Sequence, residues 1–228
     1  MSSSDDQLRL DLGAAPALGR ADFVTAPGNG DALAFIERWP DWPGGVLAIY
    51  GAAGSGKSHL VAIWHGLSGG KVLPASALTA AAVPDLAGRH LALEDVDAGV
   101  DQEALLHLYN LTRERGASLL MTGREPPRRW PAARPDLASR LAAATAVAIG
   151  LPDDGLIEAV LVKQFADRQL RADAELISWL VAHIERSFAA ARKAVDDLDR
   201  AALADRKSLN VAFARKVLGA AEQERKIG

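Results

Sequence analysis

An apolar segment, Val46 to Tyr50, runs directly into Gly51-Ala52-Ala53-Gly54-Ser55-Gly56-Lys57-Ser58, which fits G-x-x-x-x-G-K-[ST] throughout. The segment reads as a buried parallel strand, because a short unbroken apolar run needs cover on both faces. Lys57 to His65 reads as the helix that follows. Glycines at such a turn let the backbone bend until its N–H groups converge on phosphate oxygens, beside the positive end of a helix. In this pattern Gly51, Gly54, Ser55 and Gly56 form the cradle. Lys57 reaches the β- and γ-phosphates, and the Ser58 hydroxyl ligates Mg²⁺. The competing reading is a Gly-rich strand–helix turn without a ligand.

A Mg²⁺-nucleotide needs a carboxylate at the end of a neighbouring strand. Leu91-Ala92-Leu93 reads as such a strand and ends in Glu94-Asp95. Glu94 would hold the metal through water and Asp95 would orient an attacking water. Asp97 keeps open the plainer reading of an acidic turn. Further strands are expected at Ser118 to Met121, Ala146 to Ile149 and around Val72-Leu73. Between them Gln102 to Arg115 is amphipathic, with Gly116 fitting its C-cap. Alternating strands and helices of this kind predict an α/β domain, a parallel sheet with helices on both faces. After Pro152 the texture changes. Leu156 to Phe165, Ala174 to Ile184, Phe188 to Leu203 and Val211 to Ala221 are helical patterns with no strand between them, and Ser187 and Asn210 suit N-caps. The expected division is a tail over 1–20, an α/β nucleotide-binding domain over 21–151 and a small all-helical domain over 152–228.

The chain of 228 residues is 49% hydrophobic and 24% charged, which excludes wholesale disorder. It has no Cys, which excludes a disulfide framework, a thiolate zinc site and a cysteine nucleophile. Its formal net charge of −3 gives no global basic field to draw nucleic acid. Arg124, Arg128, Arg129 and Arg134 are a local basic cluster, read as a solvated or partner-facing surface. The five His residues show no metal-ligand spacing. No apolar run approaches the ~18 residues of a membrane span, and residues 1–6 do not resemble a secretory signal. The expected home is the cytoplasm.

A phosphate loop, an acidic strand end and a trailing helical domain together resemble the AAA+ ATPases. Gly56-Lys57-Ser58-His59-Leu60 looks like the G-K-[ST]-H-L of the replication initiator DnaA. Asp136-Leu137-Ala138-Ser139-Arg140-Leu141 is similar to the initiator's arginine-finger segment, and Leu198-Asp199-Arg200 and Phe213 to Leu218 resemble its lid helices. Two departures narrow the likeness. The initiator's C-terminal DNA-reading domain has no counterpart before Gly228. Gln7-Leu8-Arg9-Leu10-Asp11-Leu12 looks like a hexapeptide for binding the DNA polymerase sliding clamp. Both features are similar to the Hda family, whose clamp-bound members trigger hydrolysis of DnaA-bound ATP and so prevent re-initiation.

The resemblance implies roles residue by residue. Gln7, Leu8, Leu10 and Leu12 would bind the clamp, the β subunit of DNA polymerase III, as an extended segment whose alternate side chains fill pockets. The plainer reading is an extra strand on the chain's own sheet. Arg140 would be an arginine finger acting on nucleotide held by a neighbour, its planar fork neutralising charge on a transferring phosphoryl group. Arg192 would be the lid's sensor of the γ-phosphate in cis, and His59 part of the nucleotide cradle. Phe23, in Arg20-Ala21-Asp22-Phe23-Val24, would pack near the adenine. The plainer readings are a helix-surface arginine for Arg140, a solvated face for Arg192 and a core side chain for Phe23. Thr122-Gly123-Arg124 falls at the first sensor position with Arg124 where the initiator is acidic, and Glu94 replaces the usual Asp. Both departures point to weak or absent hydrolysis at the chain's own site, where a resident nucleotide, ADP or ATP, would be structural and hold the lid against the α/β domain.

The functional expectation is a negative regulator of replication initiation, with the sliding clamp and DnaA as partners. No sequence-specific DNA binding and no membrane association are expected, and self-association is left open. The alternatives are a helicase loader of the same wider clade and an autonomous DnaA-like ATPase.

Overall fold

Five short apolar runs build the sheet: β1 (Val46–Tyr50), β2 (Lys71–Pro74), β3 (Leu91–Glu94), β4 (Leu119–Gly123) and β5 (Thr145–Ala148). The computed structural model describes residues 18–205 and 208–227, with side chains up to Gly219. The strands lie in the order β2-β3-β4-β1-β5, and every pairing is parallel. β1 therefore lies inside the sheet, between β4 and β5.

Alternate residues of a strand point to opposite faces, and here each face has its own helices. Val46, Ala48, Leu91, Leu93, Leu119 and Met121 pack on one side. Their partners come from the short α3 (Val83–Leu86), α4 (Gln102–Glu114) and α5 (Pro135–Ala143), including Leu105, Leu108, Tyr109, Leu137 and Leu141. Leu47, Ile49, Ala92, Leu120 and Val147 point the other way, onto α1 (Gly30–Glu37) and α2 (Lys57–Ser68), where Ile36, Leu60, Ile63 and Trp64 are buried. Trp42 stacks on Trp64 with ring centroids 6.2 Å apart and donates from Nε1 to Phe35 O.

Helices only follow β5: α6 (Asp154–Asp167), α7 (Ala174–His183), α8 (Phe188–Asp205) and α9 (Val211–Ile227). Their apolar stripes share a separate core around Leu161, Phe165, Leu180, Val195 and Leu198. Each start carries a polar cap that takes up an otherwise orphaned backbone N–H. Asp153 accepts from Leu156 N, Asp173 from Leu176 N, Ser187 Oγ from Ala190 N and Asn210 from Phe213 N. Val24 and Ala26, from the segment before α1, also pack on this helical core. Among the described residues no helix is long and apolar enough to cross a membrane.

The observed elements follow the sequence expectation with shifted ends. β3 reaches Glu94, β4 starts one residue late and ends at Gly123, β5 runs Thr145–Ala148, and α2 extends to Ser68. α1 and α5 fall outside the helical patterns read from the sequence. α1 begins at Gly30, and α5 is a nine-residue helix beginning at Pro135. Both are too short for periodicity alone to reveal.

Candidate functional site

β1 delivers Gly51 to the carboxyl edge of the sheet, where loops between parallel strands open a crevice. The loop is fixed from both neighbours. Gly51 N donates to Gly123 O at 3.1 Å, and Ile149 N donates to Tyr50 O at 2.8 Å. A Cβ on Gly51 would stand 2.2 Å from Ile149 O, so the close approach itself demands glycine. Gly54 (φ +76°) and Gly56 (φ +100°) take left-handed conformations, which glycine adopts without steric cost. As a result the backbone N–H groups of Gly54, Gly56, Lys57 and Ser58 find no backbone acceptor among the described residues. Ser55 Oγ is buried there and likewise has no partner. A phosphate cradle needs this set of inward, unpaired donors, so the residues fit a nucleotide's phosphates.

Lys57 is only 8% exposed. Its Nζ donates to the loop's own carbonyls, Gly51 O at 2.7 Å and Ala52 O at 2.8 Å. Burial pushes its pKa down, with Arg124 acting in the same direction, while Asp95, Asp97 and Glu94 oppose the shift. The buried ammonium is thus held by the loop's own carbonyls within the field of these charges. Ser58 is exposed on the first turn of α2, and Glu94 closes β3.

The acidic side has more structure than a row of turn residues. Asp95 sits at φ +58°, and its N–H donates to Thr122 Oγ1 at 3.1 Å. Asp97 Oδ2 accepts from Arg124 N at 2.6 Å and Glu125 N at 3.2 Å. Asp97 therefore fixes the backbone after β4, a role with no sequence signal because its partners lie 27 and 28 positions away.

The helical layer closes on the loop from above. Phe188 N donates to Gly54 O at 3.4 Å, and a Cβ on Gly54 would stand 2.6 Å from Ser187 Cβ. The Phe188 ring lies beside Gly56. Arg192, one turn further along α8, is half-buried and lies close enough to oppose protonation of His59. Among the described residues it forms no hydrogen bond or ion pair. The His59 ring meets Phe23 edge-on at 5.1 Å, and its Nε2–H donates to Gly19 O at 3.1 Å. Burial lowers its pKa. Phe23 is 6% exposed and belongs to the α1–α2 core. The neighbouring Asp22 pairs with Lys163 of α6 at 2.9 Å, which holds the Asp22 carboxyl below its ordinary value. His59 thus links the Phe23 segment to the Arg192 side of the lid, and Asp22–Lys163 joins the same segment to α6.

Arg140 is elsewhere. α5 returns from the carboxyl edge to the start of β5, and Arg140 lies near its end, toward the edge opposite the phosphate loop. Its Nε donates to Asn110 Oδ1 of α4 at 2.8 Å, and a second guanidinium nitrogen donates to Asp136 O at 3.1 Å. The Tyr109 hydroxyl donates to Arg140 O. Asn110 escapes a sequence reading because its partner is 30 positions away on a different helix. Gln7, Leu8, Leu10 and Leu12 lie outside the described residues.

Comparison with known proteins gives two results. Residues 153–218 match the family model described as the Hda lid domain. The whole fold is similar to domain III of the Thermotoga maritima replication initiation protein DnaA, at 18% identity and TM-score 0.75, covering 90% of this chain and 97% of that one. AMPPCP-bound DnaA from Aquifex aeolicus is also similar, at 18% identity and TM-score 0.66, covering 78% of this chain and 63% of that one. So is the Thermotoga maritima RuvB Holliday junction branch migration motor, at 11% identity and TM-score 0.64, covering 77% and 61%. At these identities the likeness establishes the fold: a DnaA-type AAA+ body, which RuvB shares in outline. The helical layer that follows β5 thus matches an Hda lid, and it sits on a body with the AAA+ fold of DnaA domain III.

Proposed function

We propose that the protein is a nucleotide-bound adaptor that docks on the DNA polymerase sliding clamp and stimulates hydrolysis of ATP held by DnaA, so limiting replication initiation. The observation that carries this reading is the separation of its two charged centres. A phosphate cradle faces the lid at the carboxyl edge of the sheet, while Arg140 is held by Asn110 toward the opposite edge. An arginine so placed serves a neighbour's nucleotide. Its rigid fork meets two phosphoryl oxygens at once and neutralises charge that develops during transfer. Asn110 and Asp136 O hold the fork before the neighbour arrives, which lowers the ordering cost of docking.

The chain's own nucleotide, ADP or ATP, has a mainly structural part. The loop N–H groups and Lys57 bind its phosphates, Phe23 and His59 pack near its base, and Arg192 joins the lid to it. Ser58 and Glu94 are the residues to hold Mg²⁺, which would screen phosphate charge. The similarity to DnaA solved with AMPPCP supports a nucleotide here. Gln7, Leu8, Leu10 and Leu12 supply the clamp contact, in a protein divided into a 1–20 tail, a 21–151 body and a 152–228 lid and working in the cytoplasm. Self-turnover is the second reading. It is favoured by Asp95 beside Lys57 and opposed by the cationic Arg124 at the same corner.

The test is reconstitution: DnaA–ATP, DNA-loaded clamp and this protein, with phosphate release measured as each component is left out. Fast release should need all three. Release without DnaA would point to self-turnover, and release without clamp would remove the adaptor role.

A further inference from the structure

The face that carries Arg140 holds a second arginine. Arg113 lies on α4 three residues after Asn110 and four after Tyr109, so all three share one side of the helix. Tyr109 is the buried pivot of this corner: it is 4% exposed, and its hydroxyl donates to the backbone oxygen of Arg140. Arg113 and Arg140 both act electrostatically on that phenol. They differ in how they are held. Arg140 is pinned by Asn110 and Asp136 O. Arg113 is exposed and its side chain forms no hydrogen bond or ion pair among the described residues, its Nε merely lying 3.8 Å from where a Cβ on Gly44 would be. Glu114 occupies the next helix position, and Asp136, the acid on α5, pairs with Arg134.

We infer that Arg113 is a docking cation for the surface presented by Arg140, meeting acidic side chains around the partner's nucleotide site while the pinned Arg140 addresses the phosphates. The inference rests on the reading of Arg140 as a finger. A free, flexible cation at a rim attracts an anionic surface and raises the association rate without needing fixed geometry. The finger needs the opposite, a fork already in place. One side chain thus sets how readily the partner binds, and the other sets how fast the bound complex reacts.

The two contributions separate kinetically. Phosphate release from DnaA–ATP is followed on DNA-loaded clamp as a function of the concentration of this protein. Arg113→Ala should raise the half-saturating concentration by up to about fivefold, the range of an exposed ion pair, and leave the maximal rate unchanged. Arg113→Glu should raise it further, and Arg113→Lys should restore the wild-type curve, because only charge is required. The rise of half-saturation with salt should be shallower for Arg113→Ala. Arg140→Ala should instead lower the maximal rate. Half-saturation unmoved by Arg113→Glu, while Arg140→Ala still abolishes stimulation, overturns this inference alone. A fall in maximal rate with Arg113→Ala contradicts the docking role and moves Arg113 to the phosphates. Full stimulation by Arg140→Ala removes the finger reading, and the inference with it.

Discussion

Gly54 joins the phosphate loop to the lid, and replacing it by Ala tests that joint. Two costs follow from the geometry. Its φ of +76° places any Cβ in the left-handed region, at roughly 1–2 kcal/mol. The new Cβ would also meet Ser187 Cβ at 2.6 Å, so the start of α8 must shift, an overpacking cost of about 1–3 kcal/mol. Gly54→Ala should therefore destabilise the protein by about 2–5 kcal/mol in urea unfolding and weaken nucleotide binding by pushing the lid off the loop. Ser187→Gly isolates the second cost. It removes the opposing Cβ, and glycine is itself a tolerable N-cap for α8. In that background Gly54→Ala should cost only the conformational ~1–2 kcal/mol. Gly66→Ala is the control. Gly66 lies inside α2, and a Cβ there would meet nothing within 4 Å, so alanine should stabilise by about 0.5–1 kcal/mol. An equal loss from Gly54→Ala with and without Ser187 would refute the loop–lid contact as its cause.

Lys57→Ala removes the bonds to Gly51 O and Ala52 O and the charge proposed to meet phosphate; ADP should raise the melting temperature of the wild type through binding linkage, and the variant should lose that shift. His59 has a folded pKa below its ordinary 6.5 because burial disfavours the imidazolium. The unfolded chain therefore takes up the proton first, so this contribution is complete above pH 6.5 and is lost as pH falls through the lower folded value. His59→Gln should flatten the fall in stability below pH 6.5, as read by urea midpoints across that range. Asp22→Asn removes the 2.9 Å pair with Lys163 that ties the leading segment to α6. Both partners are partly exposed, so stability should drop by no more than about 1 kcal/mol, while protease cleavage near residues 18–26 should accelerate.

The phosphate loop could be read from sequence because glycine, lysine and serine must fall at set spacings there. The lid caps at Ser187 and Asn210 could be read because capping is local: each side chain bonds a backbone N–H three residues on. Strand positions were readable from apolar runs, but their order was not, since nothing in β1 states that β4 and β5 will flank it. The same limit hid the contacts that arm the site. Asp97 on Arg124 and Glu125, Ser187 on Gly54 and Asn110 on Arg140 each join positions from separate elements. Such pairs are set by packing, and a single sequence carries no mark of them.

Single-turnover phosphate release from DnaA–ATP, with this protein bound on DNA-loaded clamp, tests the central claim most directly when Arg140→Ala is compared with the wild type. Arg140 is partly exposed and its bonds to Asn110 and Asp136 O are surface bonds, so the variant should fold, bind nucleotide and bind clamp as before. The account predicts a fall in the stimulated rate of about 10³-fold or more, the range of arginine fingers supplied in trans, with little rescue by Arg140→Lys because a point charge lacks the fork. A folded, clamp-bound Arg140→Ala protein that stimulates within a few-fold of wild type would contradict it.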